Sequence, residues 1–521
     1  MNLLRLALLA LVAVVAAPGA VGQAVRPFEA DQWPVPATPL DERVLAALQK
    51  KGIEPAHPCS DEVFLRRVYL DVIGTLPEPT MVRDFLADRR PNKRAALIDA
   101  LLQREEFADF WALKWCDVLR VKAEFPINLW PNAVQAYHRW VRDAIHENRP
   151  YDQFARDLLT SSGSNFRVPP VNFYRAIQGR TPSAIAQAVA LTFMGSRLES
   201  WPADRRAGME AVFSRVAYKT TAEWKEEIVY LDPAPNGPLD AVLPDGSKVQ
   251  IKPGQDPRQV FADWLLKPDN PWFARSVVNR IWAWLMGRGI IHEPDDIRPD
   301  NPPVNPELLA YLEGELVKSK YDLRQVNRLI LNSRTYQQSP VPRSNDPQAE
   351  ALFAYYPVRR LDAEVLIDAL CTITGTEESY SSPIPEPFTY IPENQRTITL
   401  ADGSITSEFL EMFGRPARDT GLMSERSNDP TDAQRLHLLN STHVQRKIEA
   451  SWRLKAATRM YGRNRPFLIA SIYATILSRY PTPAEAAAAE AYFRSAGPNL
   501  DQGTVDLAWA LINTKEFLYR H

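Results

Sequence analysis

The residues of this sequence best suited to chemistry are arginines and polar partners that interrupt apolar helical segments. Arg67 and Asp71 lie one helical turn apart among aliphatic and aromatic residues. The planar guanidinium suits a buried carboxylate or a bound anion. Two interpretations stay open, structural ion pairs that join helices and loops, which we favour, and an anion-binding site. The candidate cluster is Arg67, Asp71, Asn279, Arg280, Arg359, Arg360, Glu425 and Arg426.

Well-known catalytic and metal-binding motifs are absent from the sequence. It contains no G-x-S-x-G, no P-loop and no G-x-G-x-x-G after a strand. The seven histidines are dispersed, and neither His138 with His146 nor His437 with His443 has the i, i+4 spacing of a zinc-binding helix. We therefore predict no metal site and leave the catalytic residues unassigned.

Composition narrows the choice of ligand. The 521 residues include 61 Lys and Arg against 63 Asp and Glu, a formal net charge of −2. This balance argues against nucleic-acid binding, which normally needs a basic face. Thirteen Trp are present, and exported proteins can stack sugars on such rings. Trp111, Trp115 and Trp282 have helical core spacing, whereas Trp130, between predicted helices, is the one we expect at the surface.

The first 22 residues have the features of a secretory signal peptide. Arg5 is followed by an apolar run over residues 6–17, and Ala20 and Gly22 are the small residues that precede cleavage before Gln23. The run is shorter than the roughly 20 residues that span a membrane, and no later run reaches that length. The sequence predicts a secreted or periplasmic protein without a membrane span after cleavage.

Prolines that follow capping residues predict the starts of helices. Examples are Thr181-Pro182, Asn270-Pro271 and Asn305-Pro306. The side-chain oxygen of the first residue can accept a hydrogen bond from an unpaired N–H of the helix. Proline has no N–H, but at the first helical position that group would have no partner within the helix. Apolar residues then recur every three to four positions, as they do from Phe273 to Leu285. We predict a mainly α fold.

Strand signals are few and lie near the middle of the chain. Residues 241–243 and 248–251 flank a Pro-Asp-Gly turn and predict a hairpin, with 226–231 as a third strand. The fold class is therefore mainly α, two helical blocks with a small β-hairpin between them. The predicted organisation is a signal peptide at 1–22, a first helical domain at 40–231, a linker at 232–256 and a second helical domain at 257–521.

Several segments also form an ordered set of family motifs. Residues 65–77 (LRRVYLDVIGTLP) resemble the opening of the cytochrome-c-associated planctomycete domain of unknown function. Residues 273–282, followed by Gly-Arg-Gly at 287–289, resemble the start of its usual partner, the planctomycete secreted domain. The resemblance implies the fold of that family but no activity, because none is established for it. Further matching segments are Leu331–Tyr336, Arg359–Glu364, Phe413–Pro416, Leu436–Asn440 and Lys515–Leu518.

The resemblance breaks at two cysteine-containing segments. Relatives carry a Cys-x-x-Cys-His loop after the segment 193–198, where this chain continues through Glu199, and a Cys-x-Cys where it has Leu422-Met423-Ser424. Thiolates and imidazoles can hold a metal or haem, and if the two pairs meet in relatives, their joint loss is the loss of one site. The sequence also has no cytochrome c domain and no C-x-x-C-H motif. We predict no cofactor.

These observations favour a non-catalytic binding or scaffolding component of the periplasm or cell surface. The alternative is a hydrolase that acts on extracellular polysaccharide with Asp, Glu and Arg residues in a cleft between the blocks. Extracellular polysaccharide and another exported protein are the partners compatible with export. An enzyme predicts that the candidate residues converge on an open pocket with perturbed carboxylate pKa values. A scaffold predicts that they are buried and paired with one another, with an exposed apolar patch elsewhere.

Overall fold

The computed structural model describes residues 28–235, 237–495 and 499–521, so the predicted signal peptide lies outside the described residues. The fold is mainly α, as predicted. The helices of the N-terminal half are α1 (Pro39–Lys51), α2 (Asp61–Val72), α3 (Pro79–Ala87), α4 (Lys93–Leu102), α5 (Glu105–Val118), α6 (Pro131–His146), α7 (Tyr151–Thr160), α8 (Asn172–Arg175), α9 (Pro182–Met194) and α10 (Ala203–Phe213).

The C-terminal half continues the helical pattern. Its helices are α11 (Pro257–Leu265), α12 (Phe273–Met286), α13 (Pro306–Lys318), α14 (Leu323–Leu331), α15 (Ala363–Thr374), α16 (Glu408–Met412), α17 (Asp432–Asn440), α18 (Thr442–Ala450), α19 (Trp452–Tyr461), α20 (Arg465–Leu477), α21 (Pro483–Ser495), α22 (Leu500–Ile512) and α23 (Lys515–Leu518). Short 3₁₀ turns occupy Pro169–Val171, Leu198–Ser200, Thr397–Thr399 and Met423–Glu425. In the described part of the chain, no helix is long and apolar enough to cross a membrane.

Predicted capping residues do start helices. The Thr181 hydroxyl accepts a hydrogen bond from the Ala184 amide at the start of α9, and Asn305 caps α13 in the same way. At α12 the start is shifted. Asn270 instead accepts hydrogen bonds from the amides of Trp272 and Phe273, so the helix begins two residues after the predicted proline.

In the described residues, the strands form three small antiparallel sheets. The strands are β1 (Gly163–Ser164), β2 (Val216–Thr220), β3 (Glu227–Leu231), β4 (Leu239–Val242), β5 (Lys248–Ile251), β6 (Arg359–Arg360) and β7 (Tyr519–Arg520). Strands β4 and β5 pair across the predicted Pro-Asp-Gly turn. The predicted third strand, β3, lies instead between β1 and β2 in a separate sheet. The partners of β3 gave no sequence signal, because β1 has two residues and β2 is half exposed.

The β4–β5 hairpin packs against α10. A Cβ atom at Gly208 would lie 1.9 Å from the carbonyl oxygen of Val242, so only glycine permits this approach of helix and strand. The segment 232–256, which we predicted as a linker, therefore contains a hairpin fixed to the helix that precedes it.

One hydrophobic core runs through both predicted helical blocks. Trp115 and Trp282 are fully buried in it. Side chains also join the two ends of the chain, since Arg66 on α2 donates to the carbonyl oxygens of Ile476 and Phe517, each at 2.9 Å. Among the described residues, the two blocks do not have separate cores, and the sites described below draw on both.

The three cysteines are free. Cys59 and Cys116 are buried and Cys371 is partly buried. A disulfide between two of these three residues, which an oxidising compartment would permit, does not form.

Candidate functional site

Three of the candidate residues line one cavity of about 360 Å³. Arg359 and Arg360 form β6, and Arg426 follows the 3₁₀ turn 423–425. We call this space the Asp362 cavity. Its volume lies in the usual range of small-molecule pockets, and its walls come from both halves of the chain. Its charged lining residues are Lys114, Asp117, Arg359, Arg360, Asp362, Arg426, Asp429 and Arg520.

Asp362 is the centre of the ion network in this cavity. Its carboxylate accepts hydrogen bonds from Lys114 Nζ at 2.6 Å, Arg520 Nη2 at 2.8 Å and Asn428 Nδ2 at 2.9 Å. The residue immediately precedes α15, where the helix dipole also favours an anion. Burial raises the pKa of Asp362, but the neighbouring cations, Arg520 first, outweigh burial and hold it well below its usual range.

Arg426 bridges two further acids. It donates to Glu364 Oε2 at 2.6 Å and to Asp117 Oδ2 at 2.7 Å, and Arg415 lies 3.5 Å from Glu364. Burial raises the pKa of Glu364, but Arg426 and Arg415 lower it to about 2. Both Asp362 and Glu364 are therefore ionised at neutral pH, and neither holds the proton that a general acid must donate.

The cavity lining carries more positive than negative side chains, Lys114 and four arginines against three aspartates. Arg360 donates to the carbonyl oxygens of Phe413 at 2.7 Å and Ser427 at 2.8 Å. Among the described residues, its hydrogen bonds reach carbonyl oxygens only. Burial lowers the pKa of Lys114 to about 8 although Asp362 opposes that shift. The surplus belongs to the lining alone, because Glu364 and Asp71, which do not line the cavity, pair with Arg426 and Arg359.

Asp71 and Arg67 on α2 form the layer behind Arg359. Asp71 Oδ2 accepts hydrogen bonds from the hydroxyls of Tyr336 and Tyr356, both at 2.9 Å, and Asp71 Oδ1 lies 3.3 Å from Arg359 Nη2. The Arg67 guanidinium stacks 3.7 Å from the centre of the Tyr356 ring. These two residues position the cavity wall without lining it.

Asn279 and Arg280 lie elsewhere, in a closed cluster on α12. The fully buried Arg280 donates to Asp295 Oδ1 at 2.7 Å and to the carbonyl oxygen of Thr192 at 2.9 Å. Asn279 exchanges two hydrogen bonds with the backbone of Ile291. These contacts fix α12 to its neighbours, which is the structural role that we favoured from sequence for the whole set.

A second cavity, of about 420 Å³, lies where the chain departs from its relatives. Leu198 and Glu199 line it from one segment, and Thr420 and Leu422 from the other. Glu425 accepts a 2.5 Å hydrogen bond from the Thr420 amide and shapes this wall. The two segments at which the resemblance to the family breaks therefore meet at one cavity. Among the described residues, no group of three or more His, Cys, Asp or Glu is placed to hold a metal ion.

A third cavity, of about 430 Å³, is also lined from both halves of the chain, and we call it the Asp368 cavity. Burial raises the pKa of Asp368, whereas a hydrogen bond from Arg104 lowers that of Glu106. Asp368 also accepts hydrogen bonds from the amides of Thr397 at 2.8 Å and Ile398 at 3.2 Å, which holds the nearby 3₁₀ turn.

Sequence reasoning missed several residues of the Asp362 cavity. Lys114 interrupts an apolar helix as Arg67 does, so the same criterion would have found it. Arg520 has no such local signal, since the pairing of β6 with β7 brings it to the cavity. Asn428 lies in a loop, and its role depends entirely on the position of Asp362.

Comparison with protein families agrees with the sequence motifs. Residues 39–205 match PSCyt2, Protein of unknown function (DUF1549), and residues 257–493 match PSD1, Protein of unknown function (DUF1553). These are the two planctomycete-type domains in the order that the motifs indicated, and the chain belongs to this family of paired domains. No curated protein and no solved structure matches the chain.

Proposed function

We propose that this protein is a non-catalytic binding component of the periplasm or cell surface that takes an anionic group of its ligand into the Asp362 cavity. The observation that supports this most is the surplus of cationic side chains on the cavity wall. Among the described residues, Arg360 donates its hydrogen bonds to carbonyl oxygens and to no carboxylate, although Asp362 lies close enough to act on its charge. Arginine forks bind carboxylate and sulfate groups with two parallel hydrogen bonds.

Binding without catalysis is supported by the protonation states of the cavity. Glycosidic hydrolysis needs one carboxylic acid that is protonated near neutral pH. The pKa of Glu364 is lowered to about 2 by its cationic neighbours, and cationic neighbours also hold the pKa of Asp362 well below its usual range. These acids therefore hold the cavity's arginines and Lys114 in place and leave no proton donor among themselves.

We propose an acidic extracellular polysaccharide as the ligand. Its uronate or sulfate groups have the charge that the cavity lacks, and export of the protein, predicted from residues 1–22, would bring the two together. Another exported protein with an acidic segment is the alternative partner. The domain boundaries at 40–231 and 257–521 stay predictions.

Isothermal titration calorimetry tests this proposal with oligogalacturonate, a sulfated galactan oligosaccharide and neutral dextran. We expect the acidic oligosaccharides to bind and dextran not to bind. Lys114→Met and Arg360→Lys should each lower the affinity about tenfold or more, because each removes charge-assisted hydrogen bonds worth about 1.5–3 kcal/mol. The control is Arg435→Met, an exposed arginine that pairs with Asp432 one turn away.

Equal binding of the acidic oligosaccharide by Lys114→Met, Arg360→Lys and Arg435→Met would contradict the proposal. Absence of binding to the wild-type protein would also contradict it. The unfolding temperature of each variant, measured beside the titration, shows whether the fold is kept.

A hydrolase acting on polysaccharide is the second candidate, and the Asp368 cavity favours it. One carboxyl there has a raised pKa and another a lowered one, the division that acid–base pairs need. If this candidate holds, the wild-type protein releases reducing ends from a polysaccharide, and Asp368→Asn abolishes the release while Lys114→Met does not. No release from any polysaccharide that the protein binds would reject it.

A further inference from the structure

Three aromatic residues form a surface cluster outside the cavities described above. The Trp130 ring lies 5.2 Å from that of Phe388 and 6.4 Å from that of Trp224, measured between ring centres. We call this the Trp130 cluster. Trp224 is 69% exposed and Phe388 is 49% exposed, and Trp130, which the sequence placed at the surface, is half-buried between them.

The three residues come from distant parts of the chain. Trp130 immediately precedes α6, Trp224 lies in the turn between β2 and β3, and Phe388 lies in the loop between α15 and the 3₁₀ turn Thr397–Thr399. Exposed apolar surface is unfavourable in water, and a patch assembled from several segments is typical of an interaction site.

The turn that presents Trp224 is anchored on both sides. The Glu226 carboxylate accepts hydrogen bonds from Ser164 Oγ at 2.5 Å and Thr221 Oγ1 at 2.6 Å. The fully buried Asn165 donates to the carbonyl oxygen of Lys225 at 3.3 Å and fixes the next strand as well. Trp224 is therefore held at the surface before any ligand arrives, which reduces the entropy cost of binding.

The backbone of Trp130 is strained. Its φ of +69° and ψ of 144° are unfavourable for any residue with a large side chain. Such strain costs about 1–3 kcal/mol and persists at functional sites, where the surroundings enforce it. Here the strained residue directs its ring into the centre of the cluster.

A cation lies close to two of the three rings. Lys225 Nζ is 5.1 Å from the centre of the Trp130 ring and 5.2 Å from that of Trp224. The ammonium group is exposed together with the turn. A ligand with one apolar face and one negative group would meet both features, because the rings cover the face and the lysine pairs with the charge.

We propose that the Trp130 cluster binds an acidic sugar residue of a polysaccharide. The C–H face of the sugar packs on the exposed rings, and its carboxylate or sulfate group pairs with Lys225. A protein partner would need about 800 Å² of surface on this side, whereas three rings and one cation match the size of a single sugar. None of these residues lines the Asp362 cavity, so this inference does not depend on the function proposed above.

Phe388 and Phe467 offer a matched pair of variants for the test. Phe467 is 52% exposed and packs on one aromatic neighbour, Tyr461, at 4.7 Å. Native electrophoresis in gels that contain polygalacturonate, a sulfated galactan or dextran measures affinity from the retardation. The two acidic polymers distinguish a carboxylate ligand from a sulfate ligand. To isolate the cluster, all variants are made in the Lys114→Met background.

We expect at least one acidic polymer to retard the background protein. Phe388→Ala and Trp224→Ala should each weaken binding about three- to tenfold, because each variant removes one of the exposed rings on which the sugar packs. Phe467→Ala should bind as the background does, and Lys225→Gln should lose the preference for acidic polymers over dextran. The proposal is wrong if no polymer retards the background protein, or if Phe388→Ala and Phe467→Ala migrate alike.

Discussion

Arg280 is buried and Arg426 is partly buried, and both pair with carboxylates, yet their surroundings differ. Arg280 is enclosed by α12 and its neighbours, and Asp295 offsets its charge. Arg426 bridges Asp117 and Glu364 on the wall of an open cavity in which further cations gather. The comparison teaches that one sequence signature covers two roles. The charge of both arginines is matched, but the space around Arg280 is filled, whereas Arg426 lies beside the open volume that we propose as a binding site.

The largest effect on stability is expected from a variant of Arg280, in the closed cluster on α12. Arg280→Met leaves Asp295 buried without its cation, which should lower the free energy of unfolding by about 3–5 kcal/mol. Binding of an acidic oligosaccharide by the folded fraction should stay within about twofold of wild type, since Arg280 does not line the Asp362 cavity. Urea unfolding and calorimetry measure the two effects. Loss of binding without loss of stability would reverse the assignment of the two clusters.

A smaller loss of stability is expected at Glu364, the acid that pairs with Arg426 beside the Asp362 cavity. Glu364→Gln removes one negative charge beside Arg426 and Arg415, and we expect a loss of about 2 kcal/mol at pH 7. The folded-state pKa of Glu364 is about 2, below its ordinary 4.5. Its ionisation therefore stabilises the wild type above pH 4.5, and that contribution disappears as the pH falls toward 2.

Urea unfolding between pH 3 and pH 7 checks this prediction. Stability of Glu364→Gln should fall less steeply with acid than that of the wild type, whereas the exposed Glu449→Gln should follow the wild type. Parallel curves for the wild type and Glu364→Gln would show that Glu364 is not a paired, ionised acid.

The smallest effect is the expected change in ligand affinity with pH. Because burial lowers the pKa of Lys114 to about 8, the lysine loses its positive charge as the pH rises from 7 to 9. Affinity for an acidic oligosaccharide should fall about two- to tenfold over that range, since the arginines of the cavity remain charged. Lys114→Arg should remove the dependence. Calorimetry at several pH values measures it, and a flat wild-type profile would exclude Lys114 from the site.

The sequence predicted the helices and strands well, but it predicted poorly which distant residues come into contact. Capping residues such as Thr181, and the turn before Lys248, carry local information that fixed a helix start and a hairpin. The Asp362 cavity depends instead on contacts between residues far apart in the chain. Lys114 reaches Asp362 across 248 positions, and Arg520 reaches it across 158. No local sequence pattern indicates a contact between residues so far apart in the chain. The sequence therefore identified Arg360 and Arg426 as candidates, but it could not show that Arg280 lies in a different cluster.

The most direct test of the central claim is to measure whether an anion binds in the Asp362 cavity. Crystals soaked in selenate, an analogue of sulfate, would report the anion through the anomalous scattering of selenium. The account predicts a selenate ion in the cavity within hydrogen-bond distance of Lys114 or Arg360, displaced when an acidic oligosaccharide is added. Selenate bound only at surface sites, with the cavity free of it, would contradict the account.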